Sequence, residues 1–397
     1  MKTERIHLID AMRGLSLLGI LVANVLIFQY GLFGKDEISY ISEADSSFHT
    51  FLKIAVEGSF MPIFAFLFGF GMVKMQENLR RRNLAVKRTL AWRFFLLIGI
   101  GFLHAFYLWE GDILLSYGLT GLFLLLFLNR KAKTLLIWVI VLFAFTSLVS
   151  YGDSSTSLIE NPELMNQYIE NTNTINSQGT YLEIMDHRNN VDPFAAMGIP
   201  DELLIFIIVL APLIIAPVFL FGMYGAKKGW FSEPIKQRSF YLKGAFLLPI
   251  GLVFKALYYL LENQAWTGVL FGSGSILLSI GYIFFFAYLY VTVKNSSIFN
   301  LFGYVGKLSL TNYLMQTIIC TTVFYGYGLG LFGELGVMYG FLFSLVVYFA
   351  QVVCSKWYLS YFKTGPVERL IRMIIYLSIS GRPKMKGVTP EKDNIGA

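Results

Sequence analysis

A histidine lies in the middle of an apolar run, and two acids follow that run. The stretch GIGFLHAFYLWEGDILL, residues 99–115, contains His104, Glu110 and Asp112. Burying an ionisable imidazole among apolar side chains is costly, so His104 is a candidate for chemistry. A nearby carboxylate can orient the ring and support its protonated form, as a general base requires. The alternative is structural, because Glu110–Gly111–Asp112 is also the tight turn of a predicted helical hairpin. In that case Glu110 is a turn residue, whereas Asp112 fits either role, as orienting acid or as helix cap.

Two pairs of polar residues share a spacing that places them on one helix face. Arg93 precedes His104 by eleven residues, which on an α-helix is three turns plus ~20° and a rise of ~16 Å. Such a face could bind a long anionic molecule end-on, with its phosphates at the arginine. Asn24 follows Arg13 at the same spacing, and Arg13 can pair with Asp10 at i,i+3. The alternative is an orienting arginine beside residues that hydrogen-bond neighbouring helices.

A further polar stripe is formed by residues at i, i+3, i+4 and i+7 of one helix, namely Ser309, Asn312, Tyr313 and Gln316. The stripe could hydrogen-bond a bound ligand or only other helices. The two cysteines, Cys320 and Cys354, lie in apolar runs and lack the spacing of a disulfide framework or a zinc site. No metal is therefore expected.

The elements that position these residues are predicted to be transmembrane helices. The chain is 56% hydrophobic and 14% charged, whereas a soluble domain carries charges at about 25% of its residues. The net charge of +7 fits an orientation signal better than a nucleic-acid surface. Apolar runs long enough to span the ~30 Å hydrocarbon core recur along the chain. We predict an all-α bundle of about ten spans, approximately at 12–33, 50–74, 91–109, 112–128, 133–150, 203–225, 242–261, 268–292, 308–326 and 333–356.

The charges of the connections predict the orientation of these spans. Residues 74–93 carry seven Lys and Arg residues, whereas residues 34–48 carry one Lys and four acids. Alternation of this kind along the chain predicts an even number of spans with both termini cytoplasmic. Residues 1–362 then form one transmembrane domain, in which 151–202 is an external segment, either a lid or a solvated connection. The basic tail 363–397 is predicted to begin as an interfacial helix and to end disordered.

Four stretches of the chain have a recognisable pattern, namely LIDAMRGLSLLGILVAN (8–24), FMPIFAFLFGFG (60–71), GFLHAFYLWEGDILLSYGLTG (101–121) and GKLSLTNYLMQTIIC (306–320). They resemble the YeiB-like family of bacterial inner-membrane proteins. The stretch GPVERLIR (365–372) looks like the closing motif of the family. The resemblance covers nearly all of the chain and implies a multi-pass protein of the bacterial cytoplasmic membrane.

The opening D-x-x-R-G is also similar to two groups of membrane acyltransferases. These are the acyltransferase-3 family and heparan-α-glucosaminide N-acetyltransferase, which deliver an acyl group from cytoplasmic acyl-CoA to a sugar across the membrane. In the acyltransferase-3 pattern a catalytic histidine follows the arginine after ten residues, but Asn24 stands at that place here. The glucosaminide enzyme is similar in having an asparagine there. Arg93 and His104 reproduce the spacing on the third predicted helix.

These resemblances imply a membrane acyltransferase with acyl-CoA as donor and an extracytoplasmic glycan or lipid-linked sugar as acceptor. His104 is expected to act as general base or transient acyl carrier, Asp112 to orient it, and Asn24 to hydrogen-bond the thioester carbonyl. The residues expected to bind the donor are Asp10, Arg13, Arg93, Ser309, Asn312 and Gln316. The expected partners are membrane lipids and these substrates. No nucleic-acid partner is expected. The sequence leaves open whether the protein forms a homodimer. The alternatives are a transporter or exporter lined by the same residues, and a structural or sensory protein in which they only pack helices.

Overall fold

The computed structural model describes residues 7–38, 40–151, 161–196, 199–261, 264–293 and 297–381 of the chain, and in those ranges every regular element is helical. The helices are α1 (His7–Tyr30), α2 (Glu43–Ala55), α3 (Phe60–Arg81), α4 (Val86–Tyr107), α5 (Leu114–Leu124), α6 (Ala132–Val149), α7 (Pro162–Gln178), α8 (Tyr181–Asn190), α9 (Pro193–Ala196), α10 (Asp201–Lys227), α11 (Arg238–Ala245), α12 (Leu247–Leu260), α13 (Thr267–Thr292), α14 (Ser297–Lys307), α15 (Ser309–Phe324), α16 (Gly336–Tyr361) and α17 (Pro366–Tyr376). The predicted all-α class is confirmed.

Eight of the described segments are long and apolar enough to cross a membrane. They are His7–Tyr30, Glu43–Arg81, Val86–Tyr107, Ala132–Val149, Leu210–Lys227, Arg238–Leu260, Thr267–Thr292 and Gly336–Tyr361. The length and composition of these helices therefore identify the chain as a multi-pass membrane protein. The fourth and ninth predicted spans coincide with α5 and α15, which have 11 and 16 residues and are shorter than the ~20 residues of an ordinary crossing.

Two of the predicted spans are interrupted in the structure. The span 50–74 contains a turn at 56–59, between α2 and α3, where Gly58 has a φ of +68°. Glycine adopts this left-handed conformation without the steric cost of a side chain. The span 242–261 is divided at Phe246, between α11 and α12. Apolar residues continue through both interruptions, so hydrophobicity alone did not reveal them.

Helix α1 is the centre of the bundle. In its most apolar window 72% of the residues are buried, against 50% or less in the other candidate spans. It packs against α3, α15 and α16, and α14 lies along its N-terminal half. The residues of α1 are therefore placed to meet those of the other helices that carry candidate site residues.

The predicted hairpin of α4 and α5 is confirmed, and Gly101 controls its closeness. A Cβ atom at this position would lie 2.3 Å from the backbone nitrogen of Leu115 and 2.6 Å from Oδ1 of Asp112. Only glycine permits this approach, since both distances are far below van der Waals contact. The absence of a side chain at Gly101 thus brings the start of α5, with Asp112, against α4.

The polar segment after α6 contains two helices, α7 and α8, that cover the end of the bundle at the α4–α5 turn. We call this end the outer end, after the orientation predicted from the loop charges, and residues 162–190 the cap. Arg188 donates from Nη1 to the carbonyl of Leu108 at 2.9 Å and from Nη2 to that of Phe106 at 3.0 Å. The hydroxyl of Tyr181 donates to the carbonyl of Tyr107 at 2.9 Å. These side chains satisfy carbonyls that the end of α4 leaves without helical partners.

The cap is also attached to the segment that follows α15. The backbone N–H of Gly326 donates to the carbonyl of Asn176 at 2.7 Å, and the rings of Tyr181 and Tyr327 meet edge to face at 5.6 Å. Residues 162–190 are therefore packed against the bundle, and the role of the segment 151–202 as a lid stays a prediction.

At the opposite end, α17 packs against α4 and α15. The carboxylate of Glu368 accepts hydrogen bonds from the backbone nitrogens of Leu310 and Thr311 at 2.9 and 3.2 Å. It therefore caps the start of α15, where an acid is favourable to the helix dipole. The predicted disordered end of the tail, from residue 382, lies outside the described residues.

The close approach at Gly101 is testable with a matched pair of substitutions on α4. We expect Gly101→Ala to destabilise the protein by about 1–3 kcal/mol, because the new methyl group overpacks the hairpin. Gly99→Ala is the control, since a Cβ atom there meets nothing within 4 Å and alanine favours the helix. Thermal unfolding in detergent measures both. Equal midpoints for the two variants would contradict the role of Gly101.

Protonation of His187 should loosen the cap. His187 is buried, its Nε2 hydrogen-bonds Oγ1 of Thr172 at 2.9 Å, and burial lowers its pKa below the ordinary value, opposed by Asp186. The unfolded cap then binds more protons than the folded one, so this contribution to stability is present above the unfolded pKa of ~6.5. It is lost as the pH falls from there through the lowered folded pKa.

The measurement is hydrogen exchange of α7 and α8 at pH 7.5 and 5, corrected for the intrinsic exchange rate. We expect protection to fall at the lower pH in the wild type and to be independent of pH in His187→Gln. Equal protection of the wild-type cap at both pH values would contradict this prediction. It would show that the ring of His187 remains neutral or that its charge does not affect the stability of the cap.

Candidate functional site

His104 lies in the last turn of α4, where it is 2% exposed, and each ring nitrogen has a polar neighbour. Nδ1 lies 2.7 Å from Oδ2 of Asp112, and Nε2 lies 2.9 Å from Oγ1 of Thr317. The carboxylate approach is within ion-pair distance but too oblique for a regular hydrogen bond. The imidazole thus joins an acid on one side to a hydroxyl on the other, which is the arrangement of an oriented general base.

Asp112 caps a helix and also lies against His104. Its Oδ1 accepts from the backbone nitrogen of Leu115 at 2.8 Å, at the start of α5, while Oδ2 faces His104. The side chain is 2% exposed. The capping bond fixes the rotamer of the carboxylate and so fixes the position of the oxygen that faces the ring.

Thr317 of α15 is the residue of this site that sequence reasoning missed. It is buried, and it follows Ser309 and Tyr313 at i+8 and i+4, so it extends the polar stripe by one turn. That periodicity could have drawn attention to it. The ring of Tyr313 packs beside the imidazole with centroids 5.4 Å apart, and its hydroxyl accepts from the backbone nitrogen of Ile113 at 3.3 Å.

Asn24 lies in the interior of the bundle on α1 and is 8% exposed. Within the described ranges its amide forms no hydrogen bond. One turn further along the same face, Phe28 stacks on Trp109 with ring centroids 4.0 Å apart. The backbone N–H of Trp109 donates to the backbone carbonyl of His104 at 2.9 Å. The face of α1 that carries Asn24 is therefore directed towards the end of α4 that carries His104.

Arg13 lies at the other end of α1. Its Nη1 is 3.1 Å from Oδ1 of Asp10, which is the predicted i,i+3 pair, and Asp10 is buried. Its Nη2 lies 3.1 Å from the place that a Cβ atom of Gly71 would take. The guanidinium group thus rests against α3 at a position without a side chain.

Arg93 of α4 lies against the next turn of α3. Its Nη1 is 3.3 Å from the Sδ of Met75, which is four residues beyond Gly71. Helix α17 packs on α4, and Arg13 and Arg372 lie near enough for their charges to act on Arg93. Three arginines from three helices therefore lie in the same part of the bundle, at the end opposite the α4–α5 turn.

The predicted polar stripe on α15 contacts neighbouring helices. Asn312 donates from Nδ2 to Oγ of Ser355 at 3.0 Å, and Gln316 donates from Nε2 to Oε1 of Gln351 at 2.9 Å. The Nε2 of Gln351 in turn donates to the carbonyl of Asn312 at 2.9 Å. Ser309 is partly exposed at the start of α15. The contacts of the two amides are those of helix packing, and a role in donor binding stays a prediction.

The site is closed to solvent in this structure, since His104 is 2% exposed. A depression of about 250 Å³ lies at the outer end beside Tyr30 and α7, and an apolar one of about 550 Å³ lies at Arg88, Trp92 and Phe95. His104 lines neither of these two depressions. The hydroxyl of Thr317 occupies the hydrogen-bonding position of Nε2.

Comparison with known proteins assigns the chain to a family. Residues 225–378 match a family described as "Protein of unknown function (DUF418)". The chain is 33% identical over 392 residues to "Uncharacterized protein YxaH" of Bacillus subtilis (strain 168), an alignment that covers 94% of this chain and 95% of the relative. It is 28% identical over 396 residues to "Uncharacterized protein YeiB" of Escherichia coli (strain K12), covering 94% and 96%. No solved structure matches the chain.

The resemblance inferred from the four motifs is thereby confirmed, since both alignments cover 94% of this chain. The identity to YxaH extends over nearly the whole of both chains, which excludes a match confined to one shared segment. The protein belongs to the YeiB-like, DUF418 family of multi-pass membrane proteins.

Proposed function

We propose that this protein is a membrane acyltransferase that passes an acyl group from cytoplasmic acyl-CoA to an extracytoplasmic glycan or lipid-linked sugar. The observation that carries the proposal is the buried His104, held between the carboxylate of Asp112 and the hydroxyl of Thr317. A histidine that only packs helices needs hydrogen-bonding partners. A histidine that takes up a proton also needs a fixed negative charge.

In the proposed reaction His104 takes the proton of the acceptor and returns it to the leaving thiol. The acceptor oxygen attacks the thioester carbonyl while its hydrogen passes to Nε2, and the carbon–sulfur bond then breaks. The proton on Nε2 goes to the sulfur, so the products are an acyl ester and free CoA. Thr317 occupies the place of the acceptor hydroxyl in the closed structure, at 2.9 Å from Nε2. Asp112 stabilises the imidazolium that forms between the two proton transfers.

We assign to Asn24 the support of the oxyanion in this reaction. The residue is buried, on the face of α1 that carries Phe28 towards Trp109. A preorganised N–H donor is most effective towards an oxygen that becomes negative in the transition state, because it needs no reorganisation.

The donor is proposed to bind with its phosphates at the three arginines. Guanidinium groups suit phosphate oxygens in charge and geometry, and Arg93 is ~16 Å along α4 from His104. The pantetheine arm would follow α4 and α1 between these two places. Arg372 on α17 joins Arg13 and Arg93 there, which gives the tail of the chain a part in donor binding.

This reaction requires a defined orientation in the membrane. The loop charges favour ten spans, with α5 and α15 included, both termini in the cytoplasm and the protein in the bacterial inner membrane. The arginines then face the cytoplasm, where acyl-CoA is found, and the cap faces the outside, where the glycan is found.

The first test is release of CoA from a panel of acyl-CoAs by the purified full-length protein. We expect His104→Gln to reduce the rate about 10²-fold or more, as loss of a general base does. Glutamine can still hydrogen-bond Thr317, so the fold is retained. Asp112→Asn should also reduce the rate, because it keeps an oxygen for capping α5 but removes the charge.

His7→Gln is the matched control, since His7 is exposed at the start of α1. Its rate should equal that of the wild type. No release of CoA from any donor, with an extract of cell-envelope glycan added, would contradict the proposal and favour solute transport by the same polar residues.

The second test concerns the donor site. We expect Arg93→Gln to raise KM for acyl-CoA roughly tenfold or more, which corresponds to loss of a charge-assisted bond to phosphate, with a smaller effect on kcat. Arg88→Gln is the control, because Arg88 is an exposed arginine on the same helix. An equal effect of both substitutions would indicate a general electrostatic attraction rather than a site at Arg93.

A further inference from the structure

The depression of about 250 Å³ at the outer end lies where three elements of the chain meet. Tyr30 is the last residue of α1, residues 173–178 form the end of the cap helix α7, and residues 332–334 belong to the segment between α15 and α16. The volume is slightly below that of pockets for drug-sized molecules, which begin at about 300 Å³. The depression is therefore large enough for a small ligand, and the proposed reaction does not yet use it.

Direct contacts hold the walls of this depression together. The backbone N–H of Gly333 donates to the carbonyl of Gln29 at 2.8 Å, which fixes the segment between α15 and α16 to the end of α1. A Cβ atom at Gly31 would lie 3.6 Å from Cγ2 of Thr172 and 3.9 Å from Cζ of Phe332, so the end of α1 also packs against α7 and this segment. The depression is thus formed before a ligand binds, which lowers the entropic cost of binding.

The polar side chains of the depression are available to a ligand. The amides of Asn173 and Gln178 and the carboxylate of Glu334 form no hydrogen bond with the described residues of the chain. The hydroxyls of Thr174 and Ser177 donate to carbonyls of α7 at 3.0 and 3.1 Å, so their oxygens can still accept. An amide offers donors and an acceptor at once. This set of groups matches a molecule with several hydroxyls, each of which both donates and accepts.

The charge of the depression restricts the class of ligand further. Among the described residues that line it, Glu334 is the one charged side chain, and its charge is negative. A phosphate, sulfate or carboxylate group would be repelled there and would lack the guanidinium group that suits such anions. A carboxylate instead accepts hydrogen bonds from hydroxyls. Tyr30, which is partly exposed, and the buried Phe332 supply aromatic surface for the C–H face of a sugar ring.

The depression lies at the same end of the bundle as the proposed catalytic histidine but is separate from it. Phe28, two residues before Tyr30, stacks on Trp109 with ring centroids 4.0 Å apart. Trp109 is hydrogen-bonded through its backbone N–H to the backbone carbonyl of His104. His104 does not line the depression. A sugar unit bound there is therefore a different unit from the one that reacts at Nε2.

We propose that this depression binds a neutral sugar unit of the acceptor glycan, remote from the unit that receives the acyl group. The inference rests on the proposed function for the role of the glycan as acceptor. Glu334, Asn173 and Gln178 hydrogen-bond the hydroxyls, and the ring of Tyr30 packs on the sugar. Binding energy from a remote part of a substrate can be used to orient the part that reacts. An acceptor of several sugar units is thus favoured over a monosaccharide.

The test is saturation-transfer NMR of cellobiose, maltose and N,N′-diacetylchitobiose with the full-length protein in nanodiscs, without acyl-CoA. We expect at least one of these disaccharides to bind saturably. Glu334→Gln should weaken its binding about tenfold, as loss of a charged hydrogen-bonding group does, and Asn173→Ala roughly threefold or more. Glu170→Gln and Asn171→Ala are the matched controls, because both residues are exposed on α7 and neither lines the depression.

His104→Gln should bind the disaccharide like the wild type, since this measurement involves no acyl transfer. Hydrogen exchange of α7 verifies that the cap is intact in each variant. Binding that depends on Glu334 and Asn173, in a protein that releases no CoA from any donor, would retain the sugar site and reject the acyltransferase. Failure of all three disaccharides to bind would overturn the sugar site, whatever the result for CoA release. Equal binding by the wild type, Glu334→Gln and Asn173→Ala would do the same.

Discussion

The contact between His104 and Asp112 is the constraint from which much of the surrounding structure follows. An acid and an imidazole buried at membrane depth are costly unless each is held against the other. Gly101 lets α5 begin directly against α4, and the bond from Leu115 to Asp112 fixes the carboxylate in the position that faces the ring. The tightness of the hairpin is thus a condition for the geometry of the contact between His104 and Asp112.

Helices α4 and α15, which meet where His104 contacts Thr317, are held at opposite ends by amphipathic or polar helices outside the bundle. At the outer end the cap bonds the last carbonyls of α4 and the segment after α15. At the other end Glu368 of α17 caps the start of α15, and Arg372 of the same helix acts on Arg93 of α4. Both attachments join α4 to α15, so a movement that opens the contact of His104 with Thr317 must involve the cap, α17 or both.

The sequence predicted the long helices well, because an apolar run of membrane length can bury its backbone only as a helix. It did not reveal α14, the cap helices or the interruptions at 56–59 and Phe246. Helix α14 and the cap helices lack a long apolar run. The two interruptions lie within long apolar runs and are set by local backbone geometry. At the site, His104 and Asp112 are near in sequence and the turn between them predicts their contact. Thr317 is 213 residues away from His104, and only the packing of α15 on α4 brings the two together.

Two kinds of buried polar contact coexist in this bundle, and their difference bears on function. Asn312, Gln316 and Gln351 form a neutral network between α15 and α16. Amides of this kind hold helices together without separating charge. Glutamine at position 104 and asparagine at position 112 could also hold the helices together without separating charge. Asparagine is also a good helix cap. An ionisable ring beside a carboxylate adds a cost of desolvation that packing does not require. The proposed proton transfer does require it, since a histidine beside a carboxylate can take up a proton at Nε2 with a fixed charge behind the ring.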